Sequence, residues 1–272
     1  MTFQLIQTKF KKTVLVLGSN SFVAKNIISK IPFRKIVCVQ LRKDNILKKK
    51  NLKYFFFDLL DLRKLEKIIN LYKFQTVIIC ASNNNNSINS NNNNTNIFQQ
   101  NTNILLNVLE SLKFKKKIEI INFTSTEVLK KNKSIYSIAK TTNDELCKFY
   151  KTNYNLKINN LLVTNLFGEG DLNFNRIIPM LIKNIFFKRQ IILKNYSKKL
   201  KLMFVDNLIK IVVNPKKKLN YYYFISINQL ITKIRYLIKF NKNKKSNNFN
   251  SEFDHQLYQT ISWYKKYFNK KL

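Results

Sequence analysis

Short apolar runs alternate with amphipathic stretches over the first part of the chain. The runs TVLVLG, KIVCVQL and LKYFFFD have the length and continuous apolar character of strands buried on both faces. Amphipathic stretches follow these runs; LRKLEKIINLY, after the third run, carries apolar side chains at spacings of three and four, which is the period of a helix. This alternation predicts an α/β fold of the Rossmann type, in which helices cover both faces of a doubly wound parallel sheet.

The same pattern continues to about residue 165 and then changes. Further strands are predicted in TVIICAS, KIEIINFTST and KINNLLVTNLF, with helices in NTNILLNVLESLKF and from Tyr136 onward. The polar stretch Ser82–Asn96 predicts a loop. After Leu172 the pattern is irregular, with short helices around residues 177–186 and 204–213 and a last amphipathic helix in HQLYQTISWYKKYF. We therefore expect a core over residues 1–165 and a smaller, interleaved part over residues 166–272.

Composition makes the chain strongly basic. Its 272 residues carry a net charge of +36, which by itself suggests nucleic acid or an anionic membrane surface as a partner. The lysines accompany an excess of Asn, Ile, Phe and Tyr and are spread over the whole length, as an AT-rich coding sequence would produce. We therefore interpret most of them as solvated faces and loops.

Cysteine, histidine and the apolar runs narrow the class of protein further. Cys38, Cys80 and Cys147 lie far apart without a CxxC pair, which indicates buried thiols in a reducing cytoplasm. The single histidine, His255, is expected on the surface or on a helix, and no metal site is expected. No apolar run reaches the ~18 residues of a membrane span, and residues 1–12 lack the apolar core of a signal peptide. The prediction is a cytoplasmic protein without a membrane segment.

One of only three glycines follows the first predicted strand directly. Gly18, in VLVLGSNSFVAKNI, stands where a backbone without a side chain could approach the pyrophosphate of a dinucleotide, held by the N-terminus of the next helix. The usual motif has three glycines, but here Ser21 takes the second position and Ala24 the third. For this motif alone, an ordinary strand-to-helix turn is an equally good interpretation.

The ends of the second and third strands would face the adenosine side of such a cofactor. A carboxylate after the second strand would bind both ribose hydroxyls, but Gln40 occupies that position. Arg42 and Lys43 follow and could receive a 2′-phosphate, which favours NADP. Asp58 could contact the adenine side or, equally, cap the helix that contains LRKLEKII.

The strongest chemical signal is FTSTEV followed by YSIAK. Tyr136 and Lys140 are four residues apart, so on a helix they share one face. A lysine beside a tyrosine lowers the pKa of the phenol by stabilising the tyrosinate, and it can also hold a ribose. Ser125, at the end of a strand, could hydrogen-bond the reacting oxygen. The set predicts proton abstraction by Tyr136, although the Tyr–Lys spacing alone is also compatible with a surface helix.

Taken in order, these motifs resemble the extended short-chain dehydrogenases/reductases, the NAD-dependent epimerase/dehydratase group that acts on nucleotide sugars. VLVLGSNSFVAKNI resembles the cofactor turn, YSIAK the YxxxK motif and NDEL the acidic pair farther along the helix that begins with YSIAK. VTNLFGEGDLNF is similar to the family's NxYGPxDNF turn, where Gly168 and Gly170 would let the backbone bend around the substrate phosphates. Further similarities in the same order are DLLD, ICAS, NTNILLNVLE, FTSTEV, RIIPMLI, KLMFVDNL and TISWYKKY.

The resemblance implies an enzyme with a Ser-Tyr-Lys site. Residues 1–165 would bind NAD or NADP, and residues 166–272 would bind a nucleoside-diphosphate sugar. Two chains would form a homodimer through helices around residues 101–112 and 136–150. The implied catalytic residues are Ser125, Tyr136 and Lys140. The implied cofactor contacts are Gly18, Ser21, Phe22, Val23, Arg42, Asp58, Leu59, Ala81, Asn101, Tyr136 and Lys140. The implied substrate contacts are Thr126, Glu127, Asn165 and Gly168.

Departures from the family pattern bear on the reaction. Ser21 replaces the middle glycine, Leu162 stands where the family carries arginine, and the loop before Tyr136 is short. Family dehydratases carry an Asp–Glu pair where this chain has Thr126 and Glu127, so the acidic Asp is absent. This absence argues against 4,6-dehydration.

We therefore expect epimerase chemistry, in which Tyr136 removes a hydroxyl proton, a keto-sugar forms transiently and hydride returns to its other face. Alternatives within the family are an NADPH-dependent keto-sugar reductase and a nucleotide-sugar decarboxylase or dehydratase. An alternative of another class is a catalytically degenerate nucleic-acid-binding or scaffold protein. The charge of +36 and Ser21 favour that alternative, whereas the intact Ser-Tyr-Lys set opposes it.

Overall fold

The computed structural model describes residues 12–44, 46–82, 93–131, 133–214, 222–239, 249 and 251–270. The chain forms two compact units. The first comprises Met1–Val163 with Val212–Lys216, and the second comprises Thr164–Ile211 with Lys217–Leu272. That residues 1–165 bind the cofactor and residues 166–272 the substrate stays a prediction.

The first unit is built on a six-stranded parallel sheet with the strand order β3-β2-β1-β4-β5-β6. Strands β1 and β4 are short apolar runs with almost no exposed side chain, as in sheets that are covered on both faces. This strand order is typical of doubly wound folds, so the predicted Rossmann-type fold is confirmed. The strands are β1 Thr13–Leu17, β2 Lys35–Gln40, β3 Leu52–Phe56, β4 Thr76–Ile79, β5 Glu119–Ser125 and β6 Lys157–Val163.

Polar caps set where three helices of this unit begin, namely α1, α2 and α4. Ser21, Asp61 and Ser134 each accept a hydrogen bond from the backbone amide three residues later. The alternative that Asp58 caps the helix containing LRKLEKII is therefore wrong, because its carboxylate instead accepts from the amide of Leu60 at 3.0 Å. The helices are α1 Phe22–Lys30, α2 Leu62–Leu71, α3 Asn93–Leu112 and α4 Ile135–Asn153, with a 3₁₀ turn at Thr126–Leu129.

The second unit has its own three-stranded sheet, in the order β7-β8-β9, and its own apolar core. Strand β7 runs parallel to β8, and β9 runs antiparallel to it. Asp171 is buried here and pairs with Arg176 at 3.1 Å, while the Tyr264 hydroxyl donates to the Asp171 carbonyl. The elements are β7 Asn165–Phe167, α5 Ile177–Phe186, β8 Lys199–Phe204, α6 Val205–Val213, β9 Tyr223–Ser226, α7 Ile227–Lys239 and α8 Glu252–Asn269.

Two predicted elements differ from the structure, and three observed elements were not predicted. KINNLLVTNLF forms two strands in different sheets, because Thr164 already bonds to the second sheet, its hydroxyl donating to the Lys201 carbonyl at 2.8 Å. Helix α3 begins at Asn93, so the end of the predicted loop Ser82–Asn96 is helical, and residues 83–92 lie outside the described residues. Strands β8 and β9 and helix α7 were not predicted.

The predictions for the three cysteines and for His255 agree more closely with the structure. Cys38 and Cys147 are buried, Cys80 is half-buried, and all three are free thiols. His255 is exposed on α8, as predicted. In the part of the chain that the structure describes, no helix is both long and apolar enough to cross a membrane. The cytoplasmic location and the homodimer stay predictions.

Candidate active site

The turn after β1 brings the backbone of Gly18 against the end of β4. Gly18 has φ +76°, in the left-handed region, and a Cβ built there would lie 2.5 Å from the backbone nitrogen of Ala81. The amides of Gly18 and Ser19 both donate to the carbonyl of Val39, at 2.9 and 3.1 Å. Glycine is therefore required here both for conformation and for space.

Ser21 is the N-cap of α1. Its φ of −69° and ψ of 156° are open to any residue, and its hydroxyl accepts from the amide of Ala24 at 3.2 Å. The backbone therefore does not need a glycine at this position. Phe22 and Val23 form the first turn of α1, and Ala24 is fully buried. The N-terminus of α1 thus follows the Gly18 turn closely, which is an arrangement suited to phosphate.

Replacing Gly18 with alanine is expected to lower the free energy of unfolding by roughly 2–4 kcal/mol, because the new Cβ meets rigid backbone and φ is positive. The matched control is Gly170→Ala in the second unit, where φ is +88° but nothing lies within 4 Å of the added Cβ. That control should cost only about 1 kcal/mol. Denaturant unfolding measures both variants, and equal losses would show that space at Gly18 is not limiting.

Gln40, at the end of β2, is buried and its amide is fully engaged. Its Oε1 accepts from the Ser19 hydroxyl at 2.8 Å, and its Nε2 donates to the carbonyls of Arg42 and Asp44, both at 2.7 Å. These bonds fold residues 41–44 back onto the end of β2. The side chains of Arg42 and Lys43 are exposed on this loop. Gln40 therefore shapes the loop, a role that the sequence did not indicate.

The remaining predicted cofactor contacts lie at the carboxyl ends of β3 and β4 or on α3. Asp58 is exposed two residues beyond the end of β3, and Leu59 is buried. Asn101 is buried in α3, where its Oδ1 accepts from the Ser82 hydroxyl at 2.9 Å and its Nδ2 donates to the Ile97 carbonyl at 2.7 Å. Ligands of doubly wound folds bind at the carboxyl ends of the strands. The structure places these residues in that region, and their cofactor contacts stay predictions.

Ser125, Tyr136 and Lys140 lie at the end of β5 and in the first turns of α4. The Ser125 hydroxyl accepts from the amide of Glu127 at 3.2 Å, and Tyr136 is half-buried. Lys140 Nζ lies 5.8 Å from the centroid of the Tyr136 ring and donates to the carbonyl of Phe123 at 3.2 Å. The ammonium and the phenol are therefore neighbours, and the ammonium is anchored two residues before Ser125.

Burial dominates the electrostatics of Lys140, which is 6% exposed. It lowers the pKa of the ammonium from 10.5 to about 8, and the negative charge of Asp144 opposes that change. Lys140 is therefore still mostly protonated at pH 7. A cation at this position favours the tyrosinate form of its neighbour.

The predicted substrate contacts of the first unit lie in the 3₁₀ turn after Ser125. Thr126 and Glu127 are both half-buried there, and Glu127 pairs with Lys130 at 2.6 Å. Among the described residues, no group of three or more Cys, His, Asp or Glu side chains is arranged to hold a metal ion.

The other two predicted substrate contacts lie in the second unit. Asn165 is exposed, and its Nδ2 donates to the Lys201 carbonyl at 3.1 Å. Gly168 has φ +152°, and a Cβ there would collide with the side chain of Val205. This glycine is therefore required by the fold, and substrate contacts at both positions stay predictions.

Sequence reasoning missed a polar network beside Lys140. Asn122 of β5 and Asn160 of β6 stand opposite each other in register, and Asn160 bonds to Asp144 of α4. The available signal was one asparagine inside KIEIINFTS and a pair of asparagines inside KINNLLV.

A doubly wound sheet with a glycine turn after its first strand and a Tyr-Lys pair after its fifth defines a Rossmann-class α/β protein. The model of the NAD-dependent epimerase/dehydratase family matches residues 14–214, and the chain belongs to this family. The predicted family, and with it an enzyme of the epimerase/dehydratase type, is confirmed. A search of curated proteins finds no match.

Solved structures with low sequence identity share the fold over nearly the whole chain. The enzyme WbmF of Bordetella bronchiseptica, in complex with NAD⁺ and UDP, is 17% identical with a TM-score of 0.82, covering 96% of this chain and 94% of that chain. UDP-glucose 4-epimerase of Thermotoga maritima, with UDP-glucose, is 14% identical with a TM-score of 0.80 (94% and 99% covered). UDP-N-acetylglucosamine 4-epimerase of Methanobrevibacter ruminantium, in complex with UDP-N-acetylmuramic acid, is 19% identical with a TM-score of 0.78 (95% and 99%).

Proposed function

We propose that this chain is an NAD(P)-dependent enzyme that epimerises a nucleoside-diphosphate sugar. The observation that carries the proposal is the half-buried phenol of Tyr136 beside the buried ammonium of Lys140. Family membership supports it. Further support comes from structures of the same fold that contain NAD⁺ and UDP or UDP-glucose.

The turn after β1 fits a dinucleotide. Because Gly18 has no Cβ, the turn can pack directly against the backbone of Ala81, and α1 has no acidic residue in its first turn. A pyrophosphate there would meet backbone amides and the positive end of the helix dipole. When bound, the nicotinamide would accept and return a hydride. Ser21, Phe22 and Val23 would hold the phosphates, and Asp58, Leu59 and Asn101 would contact the rest of the cofactor.

Each residue of the Ser-Tyr-Lys set would have its own role in the proton transfer. Tyr136 would remove the proton from the sugar hydroxyl and later return it to the keto oxygen. Lys140 would stabilise the tyrosinate and hold the nicotinamide ribose. The bond from the Glu127 amide uses the Ser125 oxygen as acceptor, so the Ser125 hydroxyl hydrogen can be donated to the reacting oxygen. Thr126, Glu127, Asn165 and Gly168 would bind the nucleotide sugar.

The side chain of Arg42 is exposed on the loop whose carbonyls the Gln40 amide holds, and it favours a 2′-phosphate, and thus NADP. In calorimetric titrations at moderate salt, we expect saturable one-to-one binding with NADP⁺ tighter than NAD⁺. Arg42→Ala should weaken NADP⁺ binding about tenfold and leave NAD⁺ nearly unchanged, as expected for one exposed charge-assisted hydrogen bond.

The controls for this titration address the high charge of the protein. ATP tests for indiscriminate phosphate binding, and Arg34→Ala removes an exposed arginine that precedes β2, at the opposite end of that strand. Dinucleotide binding no better than ATP binding would overturn the proposed function. Equal effects of Arg42→Ala on NAD⁺ and NADP⁺ would overturn the NADP preference alone.

The exposed Arg42 and Lys43 also favour a second candidate, an NADPH-dependent keto-sugar reductase. The two functions differ in stoichiometry, because a reductase consumes one NADPH per product whereas an epimerase recycles its cofactor. Absorbance of NADPH during turnover of a nucleotide sugar distinguishes them.

A further inference from the structure

Three side chains from three elements form a hydrogen-bonded row that reaches the helix of Lys140. Asn122 Nδ2 donates to Asn160 Oδ1 at 2.9 Å, and Asn160 Nδ2 donates to Asp144 Oδ1 at 2.8 Å. Asn122 is buried, and its amide also lies 3.7 Å from the Cys147 sulfur. The row therefore connects β5 and β6 of the sheet to a carboxylate on α4.

The geometry fixes the direction of every bond in this row. Asn122 and Asn160 face each other because β5 and β6 pair in register. A carboxylate only accepts, so Asn160 must turn its NH₂ group to Asp144 and its oxygen to Asn122. The amides are thus satisfied where unpaired polar groups would be costly. The result is a carboxylate held in one orientation.

Asp144 lies one helical turn after Lys140, so the two side chains share a face of α4. Of the described residues, Asp144 and Cys147 are the titratable groups whose charge acts on Lys140, and Tyr136 lies beside it. Burial raises the pKa of Cys147 to about 12, so the thiol is neutral at pH 7. The β5 and β6 strands contribute the Phe123 carbonyl and the neutral amides. Asp144 is therefore the anion that faces Lys140 within this described set.

We propose that Asp144 is a positioning residue for Lys140, because its carboxylate, held by Asn160 and Asn122, keeps the buried ammonium protonated beside Tyr136. The catalytic consequence of this role rests on the proposed function. The charge effect itself rests on the helical spacing of Asp144 and Lys140 and on the hydrogen bonds that hold the carboxylate. If Asp144 loses its charge, the Lys140 ammonium should lose its proton at lower pH. The pH above which any step that needs the ammonium fails should therefore also be lower.

The test measures the titration of Lys140 directly, by NMR of protein with isotope-labelled lysine. Lys140→Met identifies the signal by its disappearance. In Asp144→Asn, the pKa of Lys140 should fall from about 8 by about one pH unit or more. Asp144→Glu keeps the charge and should stay close to the unmodified protein. Asn160→Ala frees the carboxylate to turn toward solvent and should produce a smaller fall.

The matched control is Glu145→Gln, the next acid along the chain, which is exposed and paired with Lys148 at 2.7 Å. It should leave the titration of Lys140 unchanged. An unchanged Lys140 titration in Asp144→Asn, or an equal fall in Glu145→Gln, would overturn the proposal. If Asp144→Asn does not fold by circular dichroism, Asn160→Ala decides, and an unchanged titration there overturns the role of the row.

A second readout separates this proposal from the proposed function. NADP⁺ affinity should be lost above a lower pH in Asp144→Asn than in the unmodified protein. The difference should equal the fall in the pKa of Lys140 that the substitution causes. An unshifted affinity profile despite a shifted Lys140 titration would overturn the positioning role. If the unmodified protein binds no dinucleotide, the proposed function fails while the NMR result still decides whether Asp144 sets the charge of Lys140.

Discussion

Tyr136→Phe is expected to lower the turnover of a nucleotide sugar by a factor of about 10²–10⁴ while leaving dinucleotide affinity nearly unchanged. The substitution removes only the hydroxyl that would carry the proton. The ring that Lys140 faces at 5.8 Å remains, so α4 and the ammonium keep their positions. Steady-state rates with UDP-glucose and UDP-N-acetylglucosamine measure the first effect, and calorimetry with NADP⁺ measures the second.

The matched control for this variant is Tyr154→Phe, which removes a hydroxyl at the other end of the same helix, where Tyr154 is the C-cap residue. Its turnover should equal that of the unmodified protein. Turnover of Tyr136→Phe close to that of the unmodified protein would exclude Tyr136 as the base. A loss of NADP⁺ affinity as large as the loss of turnover would instead indicate a damaged cofactor site.

Lys140→Met is expected to abolish turnover and yet raise the free energy of unfolding by about 2 kcal/mol at pH 7. Lowering the pKa of Lys140 from 10.5 to about 8 means that folding destabilises the protonated form by about 3 kcal/mol relative to the neutral form. Methionine has a similar length and no charge. The Phe123 carbonyl loses its donor, which offsets part of the gain.

The sign of this effect gives it a distinct dependence on pH. Below pH 8 both the folded and the unfolded chain hold the Lys140 proton, so the full cost of burying the ammonium lowers the stability of the unmodified protein. Between pH 8 and 10.5 the unfolded chain binds more protons, and the unmodified protein should gain stability from this group as pH rises. Denaturant unfolding at pH 7 and pH 10 should therefore show the advantage of Lys140→Met shrinking at the higher pH.

The exposed Lys151→Met, on the same helix, controls for the loss of one positive charge from so basic a protein. It should change stability by less than about 0.5 kcal/mol. Lower stability of Lys140→Met than of the unmodified protein at pH 7 would contradict a net cost of burying the ammonium.

The sheet of the first unit was predictable because its central strands β1, β2 and β4 are nearly continuous apolar runs, as expected for strands buried on both faces. The second unit was harder, because its strands are short and partly exposed. KLKLMF alternates lysine and leucine, which is a strand signal, but it runs directly into α6 without a turn residue. In β9, Phe224 is exposed, so its apolar character did not mark a buried face.

Within the site, the sequence predicts those contacts that depend only on spacing along one helix. The spacing of Tyr136 and Lys140 fixes a shared helix face wherever the helix lies. The bond between Asn122 and Asn160 depends on the register of two strands that are distant in sequence, so no local pattern contains it. The cap at Asp61 was missed for a related reason, because β3 ends at Phe56 and the turn after it is longer than the apolar pattern implied.

The engagement of Gln40 limits how cofactor preference in this chain could be changed, by evolution or by design. The usual exchange toward NAD places a carboxylate after β2. At position 40 a carboxylate would set acceptor against acceptor, because the carbonyls of Arg42 and Asp44 already point at the amide nitrogen. Gln40 and the loop that carries Arg42 are therefore held together by the same hydrogen bonds. If the proposed function holds, a change of cofactor preference would require replacement of the segment 40–44 as a whole, because a carboxylate at position 40 alone would lose both bonds to the loop.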